Sequence, residues 1–363
     1  MTSPSTAATP WPLDVEDLRA RVQQALDDFL AHQAKALAEL GVDLVPVMDA
    51  AAELLRGGKR LRAAFCYWAW RGAGGPSCPE AVAAAASLEL FQAAALVHDD
   101  VMDGSDTRRG LPSAHRRFEA LHRDAAYVGS AGTYGVAGAI LLGDLYLCWS
   151  DEMLASSGLS AQQLGRGRPV FDLMRTQLIG GQFLDILSQA RADTTVDTAR
   201  TVIRYKTAKY TAEHPLLLGG SLAGAPAELL HTYSRYGLLV GEAYQLRDDV
   251  LGVFGEPVET GKPAGDDLRE GKRTVLVATA LERASKAQAS AVRRHLGNPD
   301  LDERGVAALR AVLTETGAVQ AVEHRIAALT DEAVQVIDGA DGAEQPARTV
   351  LRDLAVAAGA RRA

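Results

Sequence analysis

Two clusters of aspartates end long apolar segments of this chain. The first occupies positions 98–103 with the sequence HDDVMD, and the second occupies positions 245–249 with the sequence QLRDD. A helix places residues i and i+4 on one face, so Asp99 and Asp103 should project together. Carboxylates near the C-terminus of an apolar helix need a neutralising cation, because the dipole there is negative. Mg²⁺ prefers oxygen ligands and leaves room for water and phosphate, so the clusters predict a magnesium–diphosphate site between two helices.

The composition favours an all-α protein. Hydrophobic residues make up 47% of the 363 positions, charged residues 23% and aromatic residues only 6%. Apolar residues recur at helical spacing, whereas no alternating strand pattern recurs and no internal repeat or linker divides the chain. We therefore expect one all-α domain over residues 13–363. Residues 1–12, rich in Thr, Ser and Pro, are expected to form a disordered tail.

The charge and the cysteines exclude several classes of protein. A net charge of −8 and a pI near 5.6 argue against a nucleic-acid partner. Cys66, Cys78 and Cys148 lack the spacing of a metal site and are typical of reduced thiols. The N-terminus resembles no secretory signal, and polar residues interrupt the apolar run 81–97. A cytoplasmic protein without a transmembrane segment is expected.

The periodicity predicts helices that place the motifs. They cover residues 13–40, 59–71, 80–103, 131–155, 168–190, 196–222 and 232–254, with further helices from 274 to the C-terminus. Residues 104–113 form a predicted loop. The stretch 255–271 contains several Gly and Pro residues and is long for an internal loop, which is typical of a functional lid.

Basic residues accompany both clusters. Arg108 and Arg109 follow the first, and arginine pairs bidentately with phosphate oxygens. The segment 57–62 (GGKRLR) places a glycine break before a predicted helix start, with Lys59 and Arg62 expected on one face as an anion site. Its spacing excludes a P-loop.

Taken in order, these motifs resemble the signature of the trans-isoprenyl diphosphate synthases, the polyprenyl synthetase family. The matching segments are 55–62, 96–103, 105–110, 181–185, 205–208 and 244–252, followed by the loop up to Thr274. The resemblance implies a helical bundle around a central cavity, usually as a homodimer. It also implies head-to-tail condensation of isopentenyl diphosphate with an allylic diphosphate (dimethylallyl, geranyl or farnesyl) that three Mg²⁺ ions help to ionise.

The resemblance also implies roles for individual residues. Asp99, Asp103 and Asp248 would bind the metal ions, supported by Asp100 and Asp249. The allylic diphosphate would be bound by Arg108, Lys206, Lys262 and Lys272, and isopentenyl diphosphate by Lys59, Arg62, Gln92 and Arg109. Gln182, Asp185, Thr207 and Gln245 would complete the polar lining. Of these, Asp99, Asp103, Arg108, Lys206, Asp248 and Lys262 are the expected catalytic residues, and the departing pyrophosphate is the expected base.

Two positions depart from the family pattern. Gly252 replaces the last aspartate of the second motif, so the third Mg²⁺ would depend on Asp248 and water, and activity is expected to survive. Gln92 stands where many longer-chain relatives have His, and both side chains can donate to a diphosphate.

Product length is expected to depend on the helix before Asp99. Short-chain members of the family tend to place an aromatic ring four or five residues before that aspartate, whereas this chain has Ala95 and Ala94. Phe91 is the next large residue on that face, ~12 Å from the metal site against ~6 Å for Ala95 at the helical rise. We expect C20 geranylgeranyl diphosphate, with a C15 or a longer product (C25–C30 or beyond) as alternatives.

Other functions are disfavoured. A class I terpene cyclase needs an asparagine within its second metal motif, and the only asparagine here, Asn298, precedes Pro299. A non-catalytic synthase subunit would lose its aspartates, whereas both pairs remain here. A head-to-head synthase of the squalene type is disfavoured by the loop 105–110.

Overall fold

The computed structural model describes residues 12–191, 194–255, 265–298 and 300–360. The predicted tail 1–12, apart from its last residue, and Lys262 lie outside these ranges. The helices are α1 Leu18–Ala38, α2 Val45–Leu54, α3 Leu61–Gly72, α4 Pro79–Asp103, α5 Ala114–Asp124, α6 Ala131–Ala155, α7 Ala161–Arg191, α8 Val196–Val202, α9 His214–Ala223, α10 Ala227–Phe254, α11 Asp266–Glu270, α12 Val275–Arg283, α13 Lys286–His295, α14 Glu303–Glu315, α15 Ala318–Asp338 and α16 Ala347–Gly359. Short 3₁₀ segments cover Pro12–Asp17 and Val42–Leu44, and a π-helical segment, Ile203–Glu213, joins α8 to α9.

The all-α expectation is confirmed, with local differences. The loop 104–113 contains a two-residue hairpin, in which Thr107–Arg108 (β1) pairs antiparallel with Leu111–Pro112 (β2). Helices α7 and α10 begin earlier than predicted, and α11 interrupts the predicted loop 255–271. Helix α5 was not predicted, because most of its positions are polar and few are apolar.

Two hydrophobic cores hold the bundle together. The larger core surrounds α3, α4 and α6 and buries large side chains such as Trp68, Tyr146 and Phe91. The second core joins the C-terminal half of α10 to α12, α14 and α15 through residues such as Leu246 and Leu276. Burial of apolar surface at roughly 25 cal/mol per Å² makes these cores the main support of the helix ends that carry the aspartates.

Glycines allow three elements of the site to approach closely. A Cβ on Gly181 of α7 would lie 2.5 Å from the backbone nitrogen of Lys206, and one on Gly241 of α10 would lie 2.4 Å from the Cα of Ala208. A larger side chain at either position would push α7 or α10 away from the π-helical segment. The two glycines therefore bring the side chains of that segment between the helices that carry the motifs.

Helices α4 and α6 are long and apolar enough to cross a membrane by length and composition alone. In α4, 72% of the apolar window is buried inside the protein, as in the core helix of a bundle. In α6, only 28% of the window is buried. One face of α6 is therefore apolar and exposed.

Candidate active site

The first aspartate cluster forms the C-terminal turn of α4, which ends at Gly104 in the left-handed conformation (φ 67°). Oδ1 of Asp99 accepts hydrogen bonds from Nζ of Lys206 (3.1 Å) and from Nε2 of Gln182 (2.9 Å). The same ammonium group lies 2.6 Å from Oδ2 of Asp185. Burial raises the pKa of Asp99, but nearby positive charges, that of Lys206 foremost, outweigh it and hold the pKa below its usual value. Residues from α4, α7 and the π-helical segment therefore meet at one carboxylate.

The carboxylates of Asp100 and Asp103 have different neighbours. Asp100 is buried and forms a bidentate ion pair with Arg108, with Nε 3.0 Å from Oδ1. The pair fixes the guanidinium group, which also lies 3.7 Å from Oδ2 of Asp99. Burial and the charge of Asp99 raise the pKa of Asp103 to about 6. Asp100 thus orients Arg108, while Asp99 and Asp103 present their carboxylates on the same face.

The second cluster lies near the end of α10. Asp248 is half-buried, whereas Asp249 is buried and accepts a hydrogen bond from Gln245 Nε2 (2.8 Å). Gln245 in turn accepts one from Thr207 on the π-helical segment (2.7 Å). Burial raises the pKa of Asp249 to about 7, and the charges of nearby carboxylates contribute to the shift.

Lys272 links the two clusters. Its ammonium group lies 2.7 Å from Glu270, 3.2 Å from Asp267 and 3.9 Å from Asp103. Burial alone would lower the pKa of this lysine. The surrounding carboxylates have the opposite and larger effect, so its pKa lies well above the usual value. The charge of Lys272 also lowers the pKa of Asp249 on α10, so this ammonium group lies near the acidic ends of both α4 and α10.

Sequence reasoning missed two carboxylates of this site, Asp267 and Glu270. Both lie on α11, a five-residue helix within the segment predicted to be a loop. Glu270 also accepts a hydrogen bond from Ser105, just beyond the end of α4 (3.0 Å). Asp267 lies against position 252, where the family's aspartate is missing, and only the fold reveals that the two positions are neighbours.

The basic residues expected at the isopentenyl diphosphate site are only partly arranged as predicted. Helix α3 begins at Leu61, so exposed Lys59 precedes the helix and does not share a helical face with Arg62. The residue between them, Arg60, is buried in the left-handed conformation (φ 51°) and pairs with Glu89 at 3.4 Å, which is a structural role. The expectation of one helical face was wrong because the helix starts two residues later.

Arg109 and Arg62 remain available as anion-binding groups. The guanidinium of Arg109 lies along Gly58, where a Cβ would come within 3.3 Å of Nη2. Burial and the neighbouring charge of Arg60 lower the pKa of Arg109. Arg62 lies over the ring of Tyr210, 4.2 Å from its centroid, and donates to Thr211 (2.8 Å). Crowded guanidinium groups of this kind favour a multiply charged anion.

Below the carboxylates, most residues of α4 are apolar. Ala95 is half-buried one turn before Asp99, whereas Ala94 is fully buried in the core. The ring of Phe91 packs against the rings of Tyr210 (5.6 Å) and Phe171 (6.4 Å). Tyr210 also donates a hydrogen bond to Gln92. Of the two alanines, only Ala95 is partly accessible, and the rings of Phe91, Tyr210 and Phe171 form an aromatic trio one turn further down α4.

The donor set fits Mg²⁺. In the part of the chain that the structure describes, no three carboxylate, imidazole or thiol groups lie close enough to enclose an ion on their own. Mg²⁺ does not need such a cage, since it keeps several waters and is commonly bound by one or two carboxylates plus substrate phosphates. The raised pKa values of Asp103 and Asp249 show two carboxylates that a divalent cation would stabilise in the ionised form.

Comparison with known proteins identifies the class of this all-α chain. A family model described as polyprenyl synthetase matches residues 46–313. The geranylfarnesyl diphosphate synthase of Aeropyrum pernix is 30% identical over 299 residues, 81% of this chain and 87% of that protein. The geranylgeranyl diphosphate synthase of Methanosarcina mazei is 31% identical over 282 residues, 78% of this chain and 80% of that protein.

A solved structure agrees with these matches. The geranylgeranyl pyrophosphate synthase from Corynebacterium glutamicum, complexed with isoprenyl diphosphate and magnesium, is 42% identical and superposes with a TM-score of 0.93. The match covers 96% of this chain and 100% of that one. The chain therefore belongs to the polyprenyl synthetase family. The expected helical isoprenoid synthase fold and the expected prenyltransferase activity are confirmed.

Proposed function

We propose that this enzyme condenses isopentenyl diphosphate head-to-tail with an allylic diphosphate and releases C20 geranylgeranyl diphosphate as its main product. The observation that carries the proposal is the acidic end of α4, where Lys206 lies 3.1 Å from Asp99 and Lys272 lies 3.9 Å from Asp103, while the charge of Lys272 also acts on Asp249 of α10. We also propose that residues 13–363 form a single domain around this site.

We propose that Mg²⁺, three ions per site, is held by Asp99 and Asp103 on one side and Asp248 on the other, with Asp100 and Asp249 in support. When bound, the metal neutralises the negative charge that develops on the departing pyrophosphate. The lysines that now pair with these carboxylates lie where they can bind diphosphate oxygens at the same time.

The cationic side chains then divide between the two substrates. Arg108 and Lys206 point to the first cluster and would bind the allylic diphosphate, together with Lys272 and Lys262. Isopentenyl diphosphate would be bound by Lys59, Arg62, Gln92 and Arg109. Fixing both diphosphates aligns the allylic carbon with the double bond of isopentenyl diphosphate, which converts an encounter of two molecules into a reaction within one complex.

We propose that the prenyl chain lies in an apolar pocket along α4, which protects the reaction from water. The allylic carbon–oxygen bond breaks, the carbocation forms a bond with isopentenyl diphosphate, and a proton then leaves the adduct. Gln182, Asp185, Thr207 and Gln245 form the polar rim through hydrogen bonds to lysine, aspartate and one another. Below them, Ala95 and Phe91 on α4 are apolar and offer the cation no nucleophile. The departing pyrophosphate, bound by the lysines, is the proposed base that accepts this proton.

The proposed C20 length follows from the depth of the pocket. Ala95 would leave room for the chain one turn below Asp99, and Phe91, which packs against Tyr210 and Phe171, would stop it a further turn down. An aromatic ring at position 95 would stop a chain sooner. Relatives named for C20 and for C25 products both match this chain, and we propose that the aromatic trio favours the shorter product here.

A second copy of this chain is the proposed partner. Asp151 of α6 pairs with Arg168 (3.0 Å) and Arg175 (2.8 Å) of α7, so the C-terminal part of α6 lies near the N-terminal half of α7. Their outer positions expose large apolar side chains: Tyr134, Val136, Ile140, Leu141, Leu173, Ile179, Phe183, Leu184 and Ile186. An apolar patch of this extent marks an association surface, and a symmetric homodimer would bury it. We propose that the homodimer works in the cytoplasm.

The alternatives predict different products. A terpene cyclase would convert one allylic diphosphate to a hydrocarbon without isopentenyl diphosphate. A non-catalytic subunit would release no pyrophosphate. Incubation of purified protein with labelled isopentenyl diphosphate and a C5, C10 or C15 primer, followed by chromatography of the dephosphorylated products, separates these outcomes. A C20 alcohol from each primer is expected, whereas the absence of any elongated product would overturn the proposal.

A further inference from the structure

Gly252 leaves a gap in the second aspartate motif. It lies four residues after Asp248 on α10, so both positions share one face of the helix. A carboxylate at position 252 would stand beside that of Asp248, but glycine has no side chain to supply it. Metal binding at this helix end therefore has one oxygen-donor group fewer on α10 than the family pattern provides.

The carboxylate of Asp267 occupies the place of the missing side chain. A Cβ built on Gly252 would lie 1.8 Å from Oδ2 of Asp267, 2.7 Å from its Cγ and 3.4 Å from its Cβ. These distances are too short for any side chain at position 252 to coexist with this rotamer of Asp267. The oxygen thus lies directly against the face of α10 on which the motif stands.

The local structure fixes Asp267 in this position. Helix α11 is anchored by Leu268, which is buried in the second core, and by left-handed glycines at both ends, Gly265 and Gly271. The other carboxylate oxygen, Oδ1, lies 3.2 Å from Nζ of Lys272. The backbone N–H of Lys272 donates to the carbonyl oxygen of Asp267 (3.1 Å). One oxygen is therefore held by lysine while the other is directed to α10.

We propose that Asp267 replaces the side chain absent at Gly252 and supplies a carboxylate to the magnesium site of α10. This inference rests on the proposed function. The negative charge of Asp267 is already felt at Asp249, where it contributes to the raised pKa of that carboxyl group. Because Asp267 also contacts Lys272, its carboxylate would lie between the metal and a lysine expected to bind diphosphate. The short helix α11 and the residues just after it would therefore position both groups.

The arrangement predicts a reciprocal pair of substitutions. Asp267→Ala removes the carboxylate but keeps the Cβ, which leaves room at α10. Gly252→Asp alone crowds two carboxylates into one space. The double variant again has a single carboxylate in this space, now carried by position 252 on α10. Asp331→Ala, at an exposed aspartate on α15, controls for the loss of one negative charge.

The test measures metal binding without turnover. Mn²⁺ is titrated into each variant in the presence of inorganic pyrophosphate, and bound metal is followed by electron paramagnetic resonance. We expect the affinity of the weakest-bound ion to fall about 10- to 100-fold in Asp267→Ala, the range found for groups that support a metal site. In the double variant, this affinity should recover to within about threefold of the wild-type value. The affinity of Asp331→Ala should equal that of the wild type.

Several outcomes would overturn the inference. Wild-type affinity in Asp267→Ala would do so, as would a folded double variant that binds metal no better than Asp267→Ala. If Asp267→Ala fails to fold, Asp267→Asn keeps the size of the side chain and should show the same loss of affinity. Wild-type affinity in that variant would count against the inference. A wild-type protein that binds no Mn²⁺ with pyrophosphate would overturn the proposed function as well.

A second measurement needs no metal. Thermal unfolding should show that Gly252→Asp lowers Tm in the wild-type background, because Asp267 fills the space. The same change should lower Tm less in the Asp267→Ala background. Equal shifts in both backgrounds would show that the two positions are independent, against the geometry.

Discussion

The ammonium group of Lys206 lies 3.1 Å from Oδ1 of Asp99, although 107 residues separate the two in sequence. Lys206 is expected to bind the diphosphate, and Asp99 is expected to bind the metal, so this ion pair links the two functions. Its neighbour Asp185, 2.6 Å from the same nitrogen, keeps the lysine at the mouth of the pocket. When metal and substrate bind, the lysine can therefore move from carboxylate to phosphate oxygen over a short distance.

Removing this lysine should slow ionisation strongly. We expect Lys206→Ala to lower kcat/KM for the allylic diphosphate by about 10²–10³-fold, because one cation is lost where charge develops. Lys209→Ala is the matched control: that lysine lies on the same segment but pairs with Glu213 (2.6 Å). Steady-state kinetics would measure both. A Lys206→Ala enzyme within threefold of the wild type would remove Lys206 from the proposed mechanism.

The stability of the metal-free protein should depend on pH through Asp103 and Asp249. Their pKa values are raised to about 6 and about 7, above those of the unfolded chain, so the folded state holds extra protons. Stability from this source is complete at about pH 4 and is lost as pH rises through 6 and 7. In EDTA, Tm should fall over this window more in the wild type than in Asp249→Asn.

Excess Mg²⁺ should abolish this difference, because metal binding favours the ionised carboxylates. Differential scanning fluorimetry at pH 5 to 8, with and without Mg²⁺, checks the prediction. A wild-type Tm that changes with pH as in Asp249→Asn would argue against a buried, protonated carboxyl group at position 249.

Most of the site was predictable from the sequence because its residues come in short local motifs. Asp99 and Asp103 lie one turn apart on a strongly apolar helix, so their common face follows from helix geometry alone. The contacts between motifs did not follow. That Lys206 reaches both Asp99 and Asp185 depends on the close approach of α7 at Gly181, which is a property of packing.

Two other features were hidden for different reasons. The helix start at Leu61 depends on the left-handed conformation of Arg60, which its buried pairing with Glu89 stabilises and which the sequence does not encode locally. The five-residue α11 is too short to show a period, so Asp267 could not be placed beside Gly252 before the fold was known. Contacts between distant segments decide such cases.

Product length should respond to the two ends of the pocket. Ala95→Phe places a ring one turn below Asp99 and should shift the main product to C15 or shorter. Phe91→Ala opens the aromatic trio and should yield products longer than C20, at a cost of roughly 3–5 kcal/mol in stability. Phe91→Leu is the milder companion. Chromatography of the dephosphorylated alcohols measures each shift.

Substitution of Ala94, which is buried in the core, is the control for position on α4. Ala94→Val should affect stability more than product length, because overpacking a full core typically costs 1–3 kcal/mol. A product distribution that is unchanged in both Ala95→Phe and Phe91→Leu would contradict the proposed floor.

The exposed face of α6 and α7 should control the oligomeric state. Leu141 and Phe183 are each 64% exposed, and Leu141→Glu or Phe183→Glu should convert a dimer to a monomer by burying a charge at an apolar interface. Val356→Glu, at a residue 48% exposed on α16, should leave the dimer intact. Light scattering after size exclusion gives the masses. A monomeric wild type, or dimers in both α6 and α7 variants, would contradict the assignment of this face.

The most direct test of the account is the metal dependence of product formation from farnesyl and labelled isopentenyl diphosphates. We expect C20 diphosphate and pyrophosphate in equal amounts with Mg²⁺, loss of both in EDTA, and recovery when Mg²⁺ is added back. In Asp103→Ala, turnover should fall by at least about 10²-fold. Undiminished turnover in EDTA, or in that variant, would contradict the claim that the facing acidic ends of α4 and α10 drive the reaction.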